Sequence, residues 1–398
     1  MNLIARAALE LMTAFWVFQS AVALIKTRKA SRLYATHRRW LDKGGKAPVT
    51  KRVVLVIAVK GVSPTFERFL DFALGQDYPD YRVIFVTESE SDPAHAAISR
   101  RPDPKARLIV AGNAIDTGQK VHNQLAALAM LEPTDRLVAF ADGDLLAGTD
   151  WLSCLALPLN AGQADFTTGY RWFVPANRRL PNRVVAIIGI AIEPLIGPNW
   201  RMCLWGGSMA MTREVFDELE IPRQLRGSVN DDARISQVAR RAGKKMRYVR
   251  SVAAASPVDF TWAALVEFGR RQYFQLRIYQ PSLWWMAMAI QLFYLVGFTA
   301  CLARLAMGNP WMLVPVMVVL ACNIARTRVR RAYLQARFRG GAMELDEAVR
   351  NSGWLDPLVN AIHLLIILSS ACGREIVWAG IRYRVSGPQK TELLPNKN

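Results

Sequence analysis

Asp142 and Asp144 stand one residue apart, directly after the apolar run Leu137-Val138-Ala139-Phe140-Ala141. Such a run reads as a buried parallel strand, and it delivers both carboxylates to its carboxyl end, where open α/β sheets gather ligands. Two acids at that spacing can share a hard divalent cation that bridges substrate phosphates. An ordinary acidic turn after a strand looks the same, so the triplet alone does not decide. A second pair, Asp231-Asp232, opens a helical pattern after Asn230. Adjacent acids at a helix start often serve only as a cap with favourable dipole placement. Chemistry that deprotonates a hydroxyl also needs a positioned carboxylate; Asp232 is the candidate base, and Asp231 would orient it or the hydroxyl.

Other groups suit a bound nucleotide or a flat substrate. The acid-rich loop from Glu88 to Asp92 follows a strand, and Glu88 can hydrogen-bond a nucleoside, unless the loop only caps the next helix. In Gly118-Gln119-Lys120-Val121-His122-Asn123, Gly118 permits close backbone approach, while Lys120 and Asn123 can reach a phosphate or base from a helix start. A solvated helix start is the plainer account there, and His122 reads as a packed or surface histidine. Trp205-Gly206-Gly207 lets backbone approach a substrate or simply turns tightly into a strand. Arg270 and Arg271, beside Gln272-Tyr273, can brace a diphosphate or anchor to lipid headgroups.

The elements that must position these residues alternate. Apolar runs at 52–59, 81–87 and 107–110 read as strands, with helices expected over 64–74 and from Pro93. That grammar predicts an α/β domain with a parallel sheet. The 398-residue chain has room for a full catalytic core, and its 52% hydrophobic content with 12 Trp fits partial membrane residence. A formal charge of +19 calls for an anionic partner. Nucleic acid fits the charge but not its distribution, because the basic residues flank apolar stretches and aromatic residues do not interleave with them. Five cysteines without metal-type spacing read as reduced thiols.

Residues 1–25 form an apolar stretch interrupted by Arg6 and Glu10, read as a signal anchor rather than a cleaved signal peptide because the positive charge follows it. The expected order continues with a basic cytosolic linker (26–52), a cytosolic catalytic domain (53–281) and a transmembrane hairpin (283–324) broken at Met307-Gly308-Asn309-Pro310. A basic cytosolic segment (325–357), a third apolar segment (358–372) and a cytosolic tail (373–398) complete it. The third apolar segment is short, which favours a re-entrant or interfacial helix over a tilted span. Residues 183–200 are too apolar for an exposed loop and are read as lipid-facing, with a buried helix as the alternative.

Taken in order, these segments resemble family 2 glycosyltransferases, closest to the ceramide glucosyltransferase branch and its bacterial relatives. Ala106-Arg107-Leu108-Ile109 followed by Lys120 and Asn123, Cys203-Leu204-Trp205-Gly206-Gly207-Ser208-Met209, Asp231-Asp232, and Ile376-Val377-Trp378-Ala379-Gly380-Ile381-Arg382-Tyr383-Arg384 carry the likeness beyond the aspartate pair. The resemblance implies a GT-A (nucleotide-diphospho-sugar transferase) domain with membrane helices at both ends. It implies an inverting transfer of a hexose from a nucleotide-diphosphate sugar, UDP-glucose or similar, to a membrane lipid hydroxyl. Mg²⁺ or Mn²⁺ would sit on Asp142 and Asp144, Asp144 being the motif acid and Asp142 an alternative ribose contact. Glu88, Lys120, Asn123, Asp142, Arg270, Arg271 and Gln272 would contact the donor, and Trp205, Gly206 and Gly207 the acceptor. Asp232 would be the base, assisted by Asp231, in a protein of the bacterial inner membrane facing the cytoplasm. Two departures stand out. The family's (Gln/Arg)-x-x-Arg-Trp motif is absent, Gln272-Tyr273 falling where Arg-Trp would be, which weighs against a glycan-extending synthase. Glu88 stands where many relatives have Asp. A non-catalytic lipid-binding protein with a degenerate domain is the other alternative, and the presence of Asp142, Asp144 and Asp232 together argues against it.

Overall fold

The computed structural model describes residues 3–42, 50–197, 199–252, 254–338, 343–350 and 352–395. A first helix, α1 (Leu3–Asp42), leads to the alternation β1 (Val53–Ala58), α2 (Phe66–Leu74), β2 (Tyr81–Thr87), α3 (Pro93–Ser99), β3 (Ala106–Val110), α4 (Gln119–Leu128) and β4 (Leu137–Ala141). Next come α5 (Trp151–Asn160), β5 (Phe166–Thr168), β6 (Arg171–Pro175), α6 (Leu180–Ile192) and β7 (Ser208–Thr212). After α7 (Arg213–Glu218), α8 (Ile221–Leu225) and α9 (Asp231–Arg241), strands β8 (Met246–Tyr248) and β9 (Ala254–Val258) close the domain.

Seven of these strands form one sheet in the order β3-β2-β1-β4-β7-β5-β8. Strand β1 pairs parallel with both β2 and β4, and β7 runs antiparallel between β4 and β5. The expected α/β domain with a mostly parallel sheet is therefore present. Its central strands are apolar throughout because both faces are covered. Leu55, Ile57 and Ala139 face a core with Phe69, Phe85 and Trp151, while Val54, Val56 and Phe140 face one with Met209 and Ile235. Chain order reverses between β1 and β4, so the crevice at their carboxyl ends is the switch point where such sheets bind ligands. Asp142 follows β4 directly.

The remaining helices are α10 (Trp262–Tyr279), α11 (Pro281–Ala306), α12 (Leu313–Phe338), α13 (Met343–Arg350) and α14 (Ser352–Ser369). Among the described residues, four helical stretches are long and apolar enough to cross a membrane: Ile4–Arg39, Pro281–Ala306, Pro310–Phe338 and Ser352–Ser369. The basic stretch after residue 25 continues α1 to Asp42, and residues 358–369 of the third apolar segment lie in an 18-residue helix that meets the length of a span. Glu10, which interrupts the first apolar stretch, pairs with Arg304 of α11 at 3.1 Å, so neither charge stands alone among the helices.

The lipid-facing reading of 183–200 is corrected over its helical part, 183–192. Val184, Val185, Ala186, Ile187 and Ile190 of α6 are buried in one cluster with Trp172, Tyr333, Leu345, Val349 and Ile366. A helix apolar on every side belongs between two layers; here the layers are the α/β domain and α12–α14. The chain ends in an antiparallel sheet, β10 (Glu375–Trp378), β11 (Ile381–Gly387) and β12 (Lys390–Leu394). Its first turn places Ala379 and Gly380 at φ 50° and 80°, as a two-residue hairpin loop with both central residues left-handed requires.

Candidate active site

Three elements bring their starts or ends to one point beside the β1/β4 crevice. Asp142 comes from the end of β4, Lys120 from the first turn of α4, and Asp231 from the first turn of α9. The Lys120 ammonium lies 2.7 Å from Asp142 Oδ1 and 3.3 Å from Asp231 Oδ1. Asp231 is fully buried, and its Oδ2 accepts from the Gln124 amide at 2.7 Å. Burial pulls the Lys120 ammonium down, but Asp142, Asp231 and Asp232 outweigh that and hold it above the ordinary lysine value. Burial likewise pushes Asp142 up, and Lys120 followed by Arg171 overcomes it, so this carboxyl titrates below the usual range.

Glycines make the convergence possible. At Gly118, a Cβ would lie 2.6 Å from the Val229 carbonyl, so only a glycine lets α4 start against the chain that enters α9. Trp205-Gly206-Gly207 is wedged between the two acid pairs. A Cβ at Gly206 would lie 2.6 Å from Asp231 Oδ2, and one at Gly207 2.5 Å from Asp142 Oδ2. The Gly206 amide donates to Asp232 Oδ2 at 2.7 Å, and the Trp205 side chain hydrogen-bonds Asp142. Burial, chiefly, and repulsion from Asp231 push the Asp232 carboxyl up to about 7, with Lys120 opposing them. That value suits a group that takes up a proton near neutral pH.

Asp144 is half-exposed, and its Oδ2 lies 3.0 Å from Nη2 of Arg171, the first residue of β6. Among the described residues no group of three His, Cys, Asp or Glu side chains gathers to hold a metal ion. Asp142 and Asp144 are two carboxylates at the switch point, and Mg²⁺-type sites commonly use one or two carboxylates completed by substrate phosphates and water. The donor set fits a cation shared with a phosphate ligand and does not fit an all-protein cage.

The sequence profile of glycosyl transferase family 21 matches residues 16–391. The chain belongs to this family. The family-21 chain is 36% identical to a ceramide glucosyltransferase of Komagataella phaffii over 66 residues, a stretch covering 16% of this chain and 13% of that protein. Among solved structures, a mannosyltransferase from Pyrobaculum calidifontis, in complex with GDP-Man and Mn²⁺, is similar over 89% of this chain and 97% of its own, with 16% identity and TM-score 0.47. A glucosyl-3-phosphoglycerate synthase from Mycobacterium tuberculosis covers 57% of this chain and 79% of its own, with 17% identity and TM-score 0.40. Membership agrees with the glycosyltransferase class and the GT-A fold class expected from the sequence.

Not every residue expected at the site of this family-21 chain is there. Asn123 is buried, and its side-chain oxygen accepts from Gln119, which in turn holds Gly112 and Ala114; it supports a loop instead of facing a ligand. Arg270 is turned to the carbonyls of Ser369, Cys372 and Glu375, so it ties down the end of α14, where unsatisfied carbonyls attract a cation. Gln272 is exposed on α10. Arg271 stacks over Phe268 and Trp378, both at 5.5 Å. Glu88 pairs with Lys60 at 3.0 Å at the end of β1, on the crevice. His122 packs, its Nε2 3.0 Å from the Ala111 carbonyl. Gln124, Lys60 and Arg171 were not singled out by the sequence. Gln124 follows Lys120 by one helical turn, a spacing that puts both on one face and was the available signal.

Proposed function

We propose that this protein moves a hexose, with inversion, from a UDP-hexose such as UDP-glucose to the hydroxyl of a membrane lipid such as ceramide. The observation that carries the reading is the convergence of Asp142 and Asp231 on Lys120, beside an Asp232 carboxyl pushed up to about 7. Asp232 removes the proton from the acceptor hydroxyl. The oxygen then attacks the anomeric carbon from the face opposite the diphosphate; the carbon–oxygen bond to the phosphate breaks and its electron pair leaves with the nucleotide. Lys120 and Arg271 counter the negative charge that grows on the departing diphosphate. Asp142 and Asp144 would hold Mg²⁺ or Mn²⁺, whose contribution when bound is charge neutralisation on that diphosphate. Glu88 contacts the nucleoside. The lipid acceptor is supported by the four described helices long and apolar enough to cross a membrane and by the matched stretch of a ceramide glucosyltransferase. Residues 53–281 form the catalytic domain on the cytoplasmic side of a bacterial inner membrane, a reading supported by the basic residues that follow each apolar stretch.

The test is to incubate the detergent-purified protein with a panel of UDP-sugars and a total lipid extract, with and without Mn²⁺. A glycolipid product is expected from one donor; neither product nor donor hydrolysis across the panel sinks the reading. Asp232→Asn should lower transfer by about a hundred- to ten-thousand-fold while leaving donor binding in place. Full activity in that variant removes Asp232 from its role.

A further inference from the structure

Each acid of the Asp142-Gly143-Asp144 triplet already carries a cation: Lys120 on Asp142 at 2.7 Å and Arg171 on Asp144 at 3.0 Å. Arg171 also lies 5.4 Å over the ring of Phe173, which meets Phe268 of α10 edge-on at 5.6 Å, and Phe268 carries Arg271 at 5.5 Å. Two guanidinium groups thus flank one pair of rings. The Nε atoms of Arg171 and Arg271 are both buried without a hydrogen-bond partner among the described residues. Arg271 donates one long hydrogen bond, 3.5 Å from Nη1 to the Val377 carbonyl. Like charges held together with buried donors unfilled are costly unless an anion answers them.

We propose that Arg171 is an exchange residue: it neutralises Asp144 in the empty site and, when cation and donor arrive, releases that carboxylate and takes the diphosphate together with Arg271. The inference rests on the nucleotide-sugar reading above. Charge balance explains the exchange. Asp142, Asp144 and Asp231 together with Lys120, Arg171 and Arg271 sum to zero. A divalent cation and the doubly negative diphosphate of a nucleotide sugar also sum to zero, so the two can enter together with only a change of partners. Either one alone leaves the triplet charged. Cation and diphosphate should therefore bind with positive coupling. A guanidinium also matches phosphate oxygens in a two-point geometry that it does not use with Asp144, where one contact is made.

The discriminating variant is Arg171→Met. Binding of Mn²⁺ alone, followed by the electron paramagnetic resonance signal of the free ion, should tighten by about ten-fold, because Asp144 is no longer engaged. Binding of UDP in saturating Mn²⁺, followed by calorimetry, should weaken by about ten-fold. Arg171→Lys keeps the charge and should lie between wild type and Arg171→Met in both assays. In an Asp144→Asn background the gain in Mn²⁺ affinity should vanish. Loss of both affinities together marks a structural role and overturns the exchange, as does no change in either. A wild-type protein that binds both Mn²⁺ and UDP while Arg171→Met lacks the opposite-signed shifts overturns the exchange alone. A wild-type protein that binds neither overturns the nucleotide-sugar reading and the exchange with it.

Discussion

Asp232 carries a proton close to neutral pH because burial and Asp231 push its carboxyl up and Lys120 restrains the rise to about 7. The sign for catalysis follows directly: below that pH the base is protonated, so kcat/KM should climb as pH rises through about 7 and then level. Lys120→Met removes the restraining cation, so the acid limb should move upward by roughly one pH unit. A pH profile of kcat/KM for the two proteins checks this, and an unmoved limb would separate Lys120 from the base. The sign for stability is opposite to that of an ordinary salt-bridged aspartate. Its folded value, about 7, lies above the unfolded value near 4, so its contribution is full below about pH 4 and fades as pH rises through 7. The acids themselves were legible in the sequence, since each stands at the end of a strand or the start of a helix. Arg171 was not, because it follows Tyr170 and precedes Trp172 and Phe173 in a stretch with no charge pattern, and its meaning comes only from the carboxylate across from it.

Helix α4 packs on the main sheet, and its start is tied to the terminal sheet. The Gln119 backbone N–H, which has no partner within α4, donates to the Tyr383 hydroxyl of β11 at 3.1 Å. The same sheet grips the approach to α9: Ser228 donates to the Pro388 carbonyl, and Arg234 to the Gln389 side chain. Two site-bearing helix starts are thus held by residues more than 150 positions away in sequence. Tyr383→Phe leaves the Gln119 donor buried without an acceptor, a loss of about 1–2 kcal/mol. The expected result is a lower melting temperature and a donor KM raised several-fold with kcat nearly kept; an unchanged KM would show that the sheet does not set the α4 start. The Trp-x-Gly-x-x-Tyr pattern could be seen in the sequence, but not where it docks, because docking depends on chain folded far upstream. Helix α6 teaches the converse. Its apolar residues signalled a covered surface, yet composition cannot distinguish lipid from protein as the cover, and protein layers on both sides turned out to supply it.

At the scale of the whole molecule, α1 is a packing partner of the later apolar helices, although the whole α/β domain separates them in sequence. Trp16 meets Tyr294 and Phe298 of α11 edge-on, and at Gly297 a Cβ would sit 2.5 Å from that of Trp16. Small residues allow helix backbones to approach this closely. Gly297→Leu should therefore force α1 and α11 apart at about 1–3 kcal/mol, lowering the melting temperature in detergent more than Gly297→Ala does. An unaltered melt would place α1 elsewhere in the assembly. The same packing lets α1 run on past its apolar part, bringing Arg38 to Asp150 of the catalytic domain at 2.9 Å. Helix α1 is thereby tied to the α/β domain.

By itself the sequence determined the alternation that makes the sheet, the strand end carrying Asp142 and Asp144, the helix start carrying Asp231 and Asp232, and the apolar helices. These are local properties, set by periodicity, burial and the chemistry of chain ends within a dozen residues. Only the tertiary structure decided that Lys120 joins Asp142 to Asp231, that Arg171 meets Asp144, that Arg270 caps α14 and that Asn123 lies buried. Those outcomes depend on which side chains face one another across separate elements, and electrostatic partners are chosen by distance in space, which spacing along the chain does not encode.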